Sequence, residues 1–181
     1  SEETMATIMA GEATEAQIGA FLALLARKGP APSEIAGFVR AMRHSAVKVP
    51  YEGDVIDLCG TGGDGQGTFN ISTASSFVVA ACGLSVAKHG NRSATSKSGG
   101  ADVLEAAGLR LEAPPQRLAE ALRELGICFL FARSIHPAMK HVAKARSELG
   151  FRTVFNILGP LTNPLAPRWQ LIGVFSPQVA P

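Results

Sequence analysis

Long apolar runs, clustered cysteines and blocks of like charge are all missing from this 181-residue chain. No apolar run reaches the length of a bilayer span, and no stretch has the build of a signal peptide. The expectation is therefore a soluble, cytoplasmic protein without a membrane partner. The three cysteines, Cys59, Cys82 and Cys128, stand apart in apolar or small-residue surroundings, with no CxxC pair among them. This excludes a thiolate metal site of familiar spacing and predicts buried free thiols in a reducing compartment. Lys and Arg number 17 against 15 Asp and Glu, a net charge of +2 with no long run of either sign. That balance argues against a dominant nucleic-acid or membrane surface and leaves room for a local basic pocket. Internal repeats and low-complexity tracts are absent as well.

What is present is a globular composition, 46% hydrophobic and 18% charged. The length suits one domain with a sizeable core, or a main domain with a small satellite. The first fifty residues read as helices alone. In "ATEAQIGAFLALLARKG", Thr14 and Gln17 have capping-box spacing, Ile18, Phe21, Leu22 and Leu25 share a face, and Gly29 closes the helix. In "PSEIAGFVRAMRH", Ser33 is the expected cap and Ile35, Phe38, Val39 and Met42 form the apolar stripe.

From Val55 the pattern changes to short apolar runs alternating with helical segments. "VIDLC", "LSVAK", "ICFLFA" and "WQLIGVF" read as strands. "STASSFVVAAC" closed by Gly83, "GADVLEAAG", "PQRLAEALRELG" and "PAMKHVAKARSELG" read as helices. Alternation of this kind predicts an α/β fold, a mostly parallel sheet covered by helices. The expected organisation is a helical subdomain over 1–49 and an α/β domain over 50–181, incomplete at its C-terminal end, with the turn-forming "KVPYEGD" between them.

Two loops carry the chemistry. "GTGGDGQG" runs from a strand into "NIST" at a helix start, an arrangement that aims backbone N–H groups and a helix N-terminus at a phosphate. Three glycines alone are equally well explained by a tight loop with an ordinary cap, but the full stretch exceeds that. It lacks the Gly-Lys-Ser/Thr of a Walker loop, and it is not a GxGxxG closed directly onto a helix. The second loop, "KHGNRSATSKSGGAD", brings Lys88, Arg92 and Lys97 among hydroxyls and amides, which suits a diphosphate where a bland reading gives a solvated loop. Both loops follow strands, and ligands of open α/β sheets bind at those strand ends.

The stretches "GTGGDG", "FNIST", "KHGNRSATSKSGGADVLEAAG", "HPAMKHVAKARSELGFRT" and "FNILGPLTNP" strongly resemble the anthranilate phosphoribosyltransferase family, of the nucleoside phosphorylase type fold, from tryptophan biosynthesis. The resemblance covers nearly the whole chain in the family's order. It implies transfer of a phosphoribosyl group from phosphoribosyl diphosphate (PRPP) to the amine of anthranilate, with Mg²⁺ as cofactor and a homodimer as the assembly. It further implies that PRPP is held by Gly60, Gly63, Asp64, Thr68, Asn70, Ile71, Ser72 and Thr73. Lys88, His89, Gly90, Asn91, Arg92, Ser93, Ala94, Thr95, Ser96 and Gly100 would complete that site, and Ser72 would bind a Mg²⁺ ion. Asp64, by its charge, would face ribose hydroxyls or Mg²⁺-bound water. Anthranilate would meet Gly60, Asn91, His136 and Arg146, and His89 and His136 would line its channel. No acid–base residue is assigned.

From the residues alone, Arg146 in "KHVAKARSE" reads as an exposed helix charge, His136 before Pro137 as a helix entry, and His44 and His141 as surface groups. Ten residues separate His136 from Arg146, close to three turns, so one helix could present both to one cleft. Gly100, Ala94 and Thr95 depart from the common family form. The family's chains are also longer, with an Asp-Glu pair beyond position 181 that completes a second Mg²⁺ site, so the 181 residues alone are expected to have weak or no activity. Two other readings stay open: a nucleoside phosphorylase of the same fold, and a non-catalytic relative that binds anions or nucleic acid.

Overall fold

All four apolar runs become strands in the computed structural model, which describes residues 1–62, 69–93 and 98–177. They are β1 (Ile56–Gly60), β2 (Val86–Gly90), β3 (Ile127–Phe131) and β4 (Trp169–Gly173). The sheet has the order β3-β2-β1-β4, and every pair is parallel. The chain therefore steps outward from β1 through β2 to β3, then returns to the other side of β1. A crevice at such a reversal is where α/β sheets take ligands. β2 and β3 are almost wholly buried, whereas on β4 Trp169 and Leu171 are exposed.

The helices are α1 (Glu2–Ala10), α2 (Glu15–Lys28), α3 (Pro32–Ser45), α4 (Ile71–Ala81), α5 (Gly100–Ala106), α6 (Pro115–Leu125), α7 (Ala132–Ile135), α8 (Lys140–Leu149) and α9 (Phe155–Leu158). Within the sheet unit α4 packs on β1 and β2, and α6 on β3. The expected capping box of α2 forms: the Thr14 hydroxyl accepts from the Gln17 backbone at 3.3 Å, and the Gln17 side chain accepts from Thr14 N–H at 2.9 Å. Gly29 ends the helix with its N–H on the Leu25 carbonyl.

Three expectations are corrected. Ser33 does not cap α3: Pro32 takes the first helical position, where its fixed φ and missing N–H cost nothing, and Ala31 becomes the cap residue. There the Glu34 carboxylate accepts the Ala31 N–H at 2.8 Å. His136 and Arg146 do not share a helix. Pro137 pushes the residue before it away from helical geometry, His136 sits at φ −118° and ψ 67°, a 3₁₀ turn covers Pro137–Met139, and α8 starts only at Lys140. Cys82 is exposed at the end of α4, while Cys59 and Cys128 are buried as expected.

The chain divides into two compact units, Ser1–Ala46 with His136–Thr162, and Val47–Ile135 with Asn163–Pro181. The helical unit is thus discontinuous in sequence. One apolar cluster explains why: Met5, Ile8, Ile18, Leu22 and Phe38 from the first segment are buried together with Val142, Phe155 and Leu158 from the second. Phe21 meets Phe38 edge-on, with ring centroids 5.9 Å apart. No helix among the described residues is long and apolar enough to cross a membrane.

Candidate active site

The first loop leaves β1 at Gly60. Thr61 N–H bonds to the Gly173 carbonyl at 2.9 Å and its hydroxyl accepts from Phe175 N–H at 3.0 Å, so the loop's start is fastened to the end of β4. Gly62 has φ 65°, a left-handed conformation that glycine enters without strain. The loop resumes at Asn70, whose carbonyl accepts from the N–H groups of Thr73 and Ala74 and opens α4. The Asn70 side chain makes no capping bond, so it is available to a ligand. Ile71 is half exposed. The Thr73 hydroxyl is buried and has no hydrogen-bond partner among the described residues. A buried polar atom left in that state is costly unless something binds to it.

Lys88 lies beneath this helix start. It is 4% exposed, and its ammonium donates to the Leu58 carbonyl at 2.6 Å and to Ser72 Oγ at 3.2 Å. Burial lowers its pKa, while the nearby Cys59 and Asp57 oppose the shift. An ammonium has three donors, and two are accounted for here. α5 begins at the same place: a Cβ on Gly100 would come 2.8 Å from Thr73 Oγ1 and 3.9 Å from Lys88 Cε. Ser72, Thr73, Lys88 and Gly100, each expected from the sequence, are therefore neighbours. Any side chain at position 100 would need Thr73 to move.

The second loop is closed at its base. Asp102 accepts from Ser93 N–H at 3.0 Å and from Gly99 N–H at 2.7 Å, joining both ends of the loop to one carboxylate. A Cβ on Gly99 would lie 2.4 Å from Ser93 N and 2.7 Å from the Arg92 carbonyl carbon, so only glycine fits. The Arg92 guanidinium bridges Glu105 at 2.6 and 2.7 Å and Asp102 at 3.1 Å. These carboxylates hold Arg92 as a strut of the loop, where the sequence suggested a phosphate ligand. The Asn91 side-chain oxygen accepts from Arg92 N–H at 2.8 Å, which leaves its amide nitrogen as the outward donor. At Gly90 a Cβ would press on the Phe129 ring at 2.8 Å. His89 is buried on β2. Gly63, Asp64, Thr68, Ala94, Thr95, Ser96 and Lys97 lie outside the described residues.

In the helical unit, Arg146 is half-buried on α8 with its guanidinium 5.1 Å from the centre of the Phe155 ring. Burial lowers its pKa, and no carboxylate pairs with it among the described residues. That is not the exposed helix charge its local sequence suggests, but a half-buried guanidinium stacked on an aromatic ring. His136 is buried, and burial pushes its pKa down to about 4 against a hydrogen bond with the Thr162 backbone. His44 is exposed, and the His141 ring packs against Gly11.

Sequence reasoning missed Asp57, Asn163, Gly99 and Asp102. Asp57 is fully buried; it accepts from His89 N–H at 3.0 Å, from Asn163 Nδ2 at 3.0 Å and from Gln170 Nε2 at 3.3 Å. Burial raises its pKa, and the bonds from Asn163 and His89 counter that. The available signal was one acid inside the apolar "VIDLC".

Two family models cover the chain: "Glycosyl transferase family, a/b domain" over residues 52–181, and "Glycosyl transferase family, helical bundle domain" over residues 1–46. The chain belongs to the glycosyl transferase family. Among similar members, the anthranilate phosphoribosyltransferases of Syntrophobacter fumaroxidans and Brevibacillus brevis are each 56% identical, over 97% and 100% of this chain and 52% and 53% of theirs. The crystal structure of anthranilate phosphoribosyltransferase from Thermus thermophilus matches with a TM-score of 0.94 at 52% identity, over 98% of this chain and 54% of that one. The Saccharomyces cerevisiae enzyme in complex with PRPP and Mg matches with a TM-score of 0.90 at 29% identity, over 99% of this chain and 54% of that one. The chain spans about half the length of these glycosyl transferase relatives.

Proposed function

We propose that the protein transfers the phosphoribosyl group of PRPP to the amine of anthranilate. In that reaction the bond from ribose C1′ to diphosphate breaks, the bond from C1′ to nitrogen forms, and the nitrogen gives up one proton. The observation that carries the reading is the buried Lys88 ammonium joined to Ser72 at the start of α4. A cation fixed at a helix N-terminus suits a diphosphate leaving group, because charge develops there as the bond breaks. The unpartnered Thr73 hydroxyl and the Asn70 side chain offer further contacts, and Gly60 allows close approach at the loop's start.

No group of three acidic, His or Cys side chains that could hold a metal exists among the described residues, and Ser72 supplies a single oxygen. That partial set fits Mg²⁺, which keeps its waters and binds through few protein groups plus substrate phosphates. When bound, Mg²⁺ would neutralise the diphosphate and template its departure. Asn91 and Arg146 are the proposed anthranilate contacts, Arg146 as the fork for the carboxylate. His136, neutral above about pH 4, would border that substrate without adding charge. An aromatic amine is uncharged near neutral pH, so positioning replaces a strong general base. The similar anthranilate phosphoribosyltransferase of Saccharomyces cerevisiae in complex with 4-fluoroanthranilate supports this substrate class. A homodimer in the cytoplasm, with no nucleic-acid partner, completes the proposal.

The test compares initial rates with anthranilate, PRPP and Mg²⁺ against rates with a nucleoside and inorganic phosphate. Anthranilate-dependent diphosphate release, at a low rate for these 181 residues alone, is expected; phosphorolysis alone would overturn the reading.

A further inference from the structure

β1 pairs with β4, and β2 with β3, over five residues each, yet β1 and β2 share one pair, Ile56 opposite Val86. Ile56 N–H bonds to the Ser85 carbonyl. In a continuing parallel ladder the next residue, Leu58, would bond to the Ala87 carbonyl and to His89 N–H. Side chains meet those three groups instead. His89 N–H goes to Asp57 Oδ1 at 3.0 Å, the Ala87 carbonyl accepts from Asn163 Nδ2 at 2.9 Å, and the Leu58 carbonyl accepts from Lys88 Nζ at 2.6 Å. Asn163 is itself fixed, since its Oδ1 accepts from Leu165 N–H at 3.0 Å while its Nδ2 also bonds Asp57 Oδ2. Asp57 and Asn163 are both fully buried. Central strands rarely leave ladder groups to side chains, because the backbone partners are available without desolvating a charge.

We infer that Asp57, clamped by Asn163, is a positioning residue: by taking the His89 N–H it leaves the Leu58 carbonyl to seat the Lys88 ammonium beneath Ser72 and Gly100. Without that diversion His89 N–H would close onto the Leu58 carbonyl, and the ammonium would have to share its 2.6 Å acceptor. Asp57 also provides the negative charge that makes burial of the ammonium tolerable. The consequence for turnover rests on Lys88 being a diphosphate ligand; the consequence for Lys88 itself does not.

The experiment has two readouts on the wild-type protein, Asp57→Asn, Asn163→Ala and Lys88→Met. The first follows the Lys88 Cε and Nζ resonances by NMR at one fixed pH. Among the described residues, the charged or titratable groups acting on this ammonium are Asp57 and Cys59, both from β1. Asp57→Asn and Asn163→Ala are each expected to shift the Lys88 resonances, because the Leu58 carbonyl that seats the ammonium is then contested by His89 N–H. The second readout is steady-state kinetics: KM for PRPP is expected to rise about tenfold in Asp57→Asn while KM for anthranilate stays within about twofold. In a Lys88→Met background Asp57→Asn should add nothing to the PRPP effect, although it still costs stability. Unmoved Lys88 resonances in both the Asp57 and Asn163 variants, or additive kinetic effects with Lys88→Met, would overturn the inference. If Asp57→Asn does not fold, the Asn163→Ala resonances decide alone. A wild-type protein that neither binds nor turns over PRPP would instead sink the proposed function and leave the NMR result standing.

Discussion

At the scale of single residues, the site depends on groups whose ionisation is set by burial. His136 illustrates the sign. Its pKa is pushed down to about 4 in the folded chain, below the ordinary histidine value of roughly 6.5 in the unfolded one. The unfolded state therefore binds the proton first as pH falls, and stability is lost between those two values. The full difference is about 3 kcal/mol, an order-of-magnitude figure for a side chain this buried. His136→Gln should flatten the acid limb of stability between about pH 6.5 and 4, and the wild-type ring should titrate near pH 4 by NMR. A histidine titrating at its ordinary value would show that His136 is reached by water. Residues of this kind were only half legible. Lys88 and Ser72 stood out because charge and hydroxyl flank glycine loops. Asp57 did not, because its partners are a backbone N–H from β2 and an amide about a hundred positions away, and local sequence carries neither.

At the scale of elements, strands and long helices were legible because period and length announce them, while closures were not. The four-residue helices α7 and α9 contain too few turns to show any period. The break before α8 needs the steric effect of Pro137 on His136 to override a helical pattern. The base of the second loop is the consequential case. Gly99 approaches the Ser93 and Arg92 backbone too closely for any side chain, and Asp102 joins the ends, so loop and α5 behave as one piece. Gly99→Ala is expected to cost about 1–3 kcal/mol by overpacking against backbone that cannot yield. It should also raise KM for PRPP, because Asn91 and Gly100 move with the loop. Urea unfolding and kinetics check this together. A variant with wild-type stability and KM would mean that the loop's base is adaptable.

At the scale of the whole molecule, the sequence showed one change of pattern near residue 50, and the packing draws the line elsewhere. Segment 136–162 carries helical signals that cannot say which core it joins; only the shared burial of Val142, Phe155 and Leu158 with Met5, Leu22 and Phe38 decides it. That has a consequence for function, because both His136 and Arg146 belong to the helical unit while Lys88, Ser72 and Asn91 belong to the sheet unit. The proposed ligand residues thus belong to two units with separate apolar clusters. Leu158 is fully buried, so Leu158→Ala should cost about 2–5 kcal/mol. If the helical unit is one cooperative core, native-state hydrogen exchange will lose protection in α1, α2 and α3 together with α8, although the substitution lies more than a hundred residues from the first three. Amides of β2 and β3 should keep their protection. Loss confined to 140–158 would mean that the N-terminal helices stand on their own, and that Arg146 is held only by its own segment and the face of Phe155.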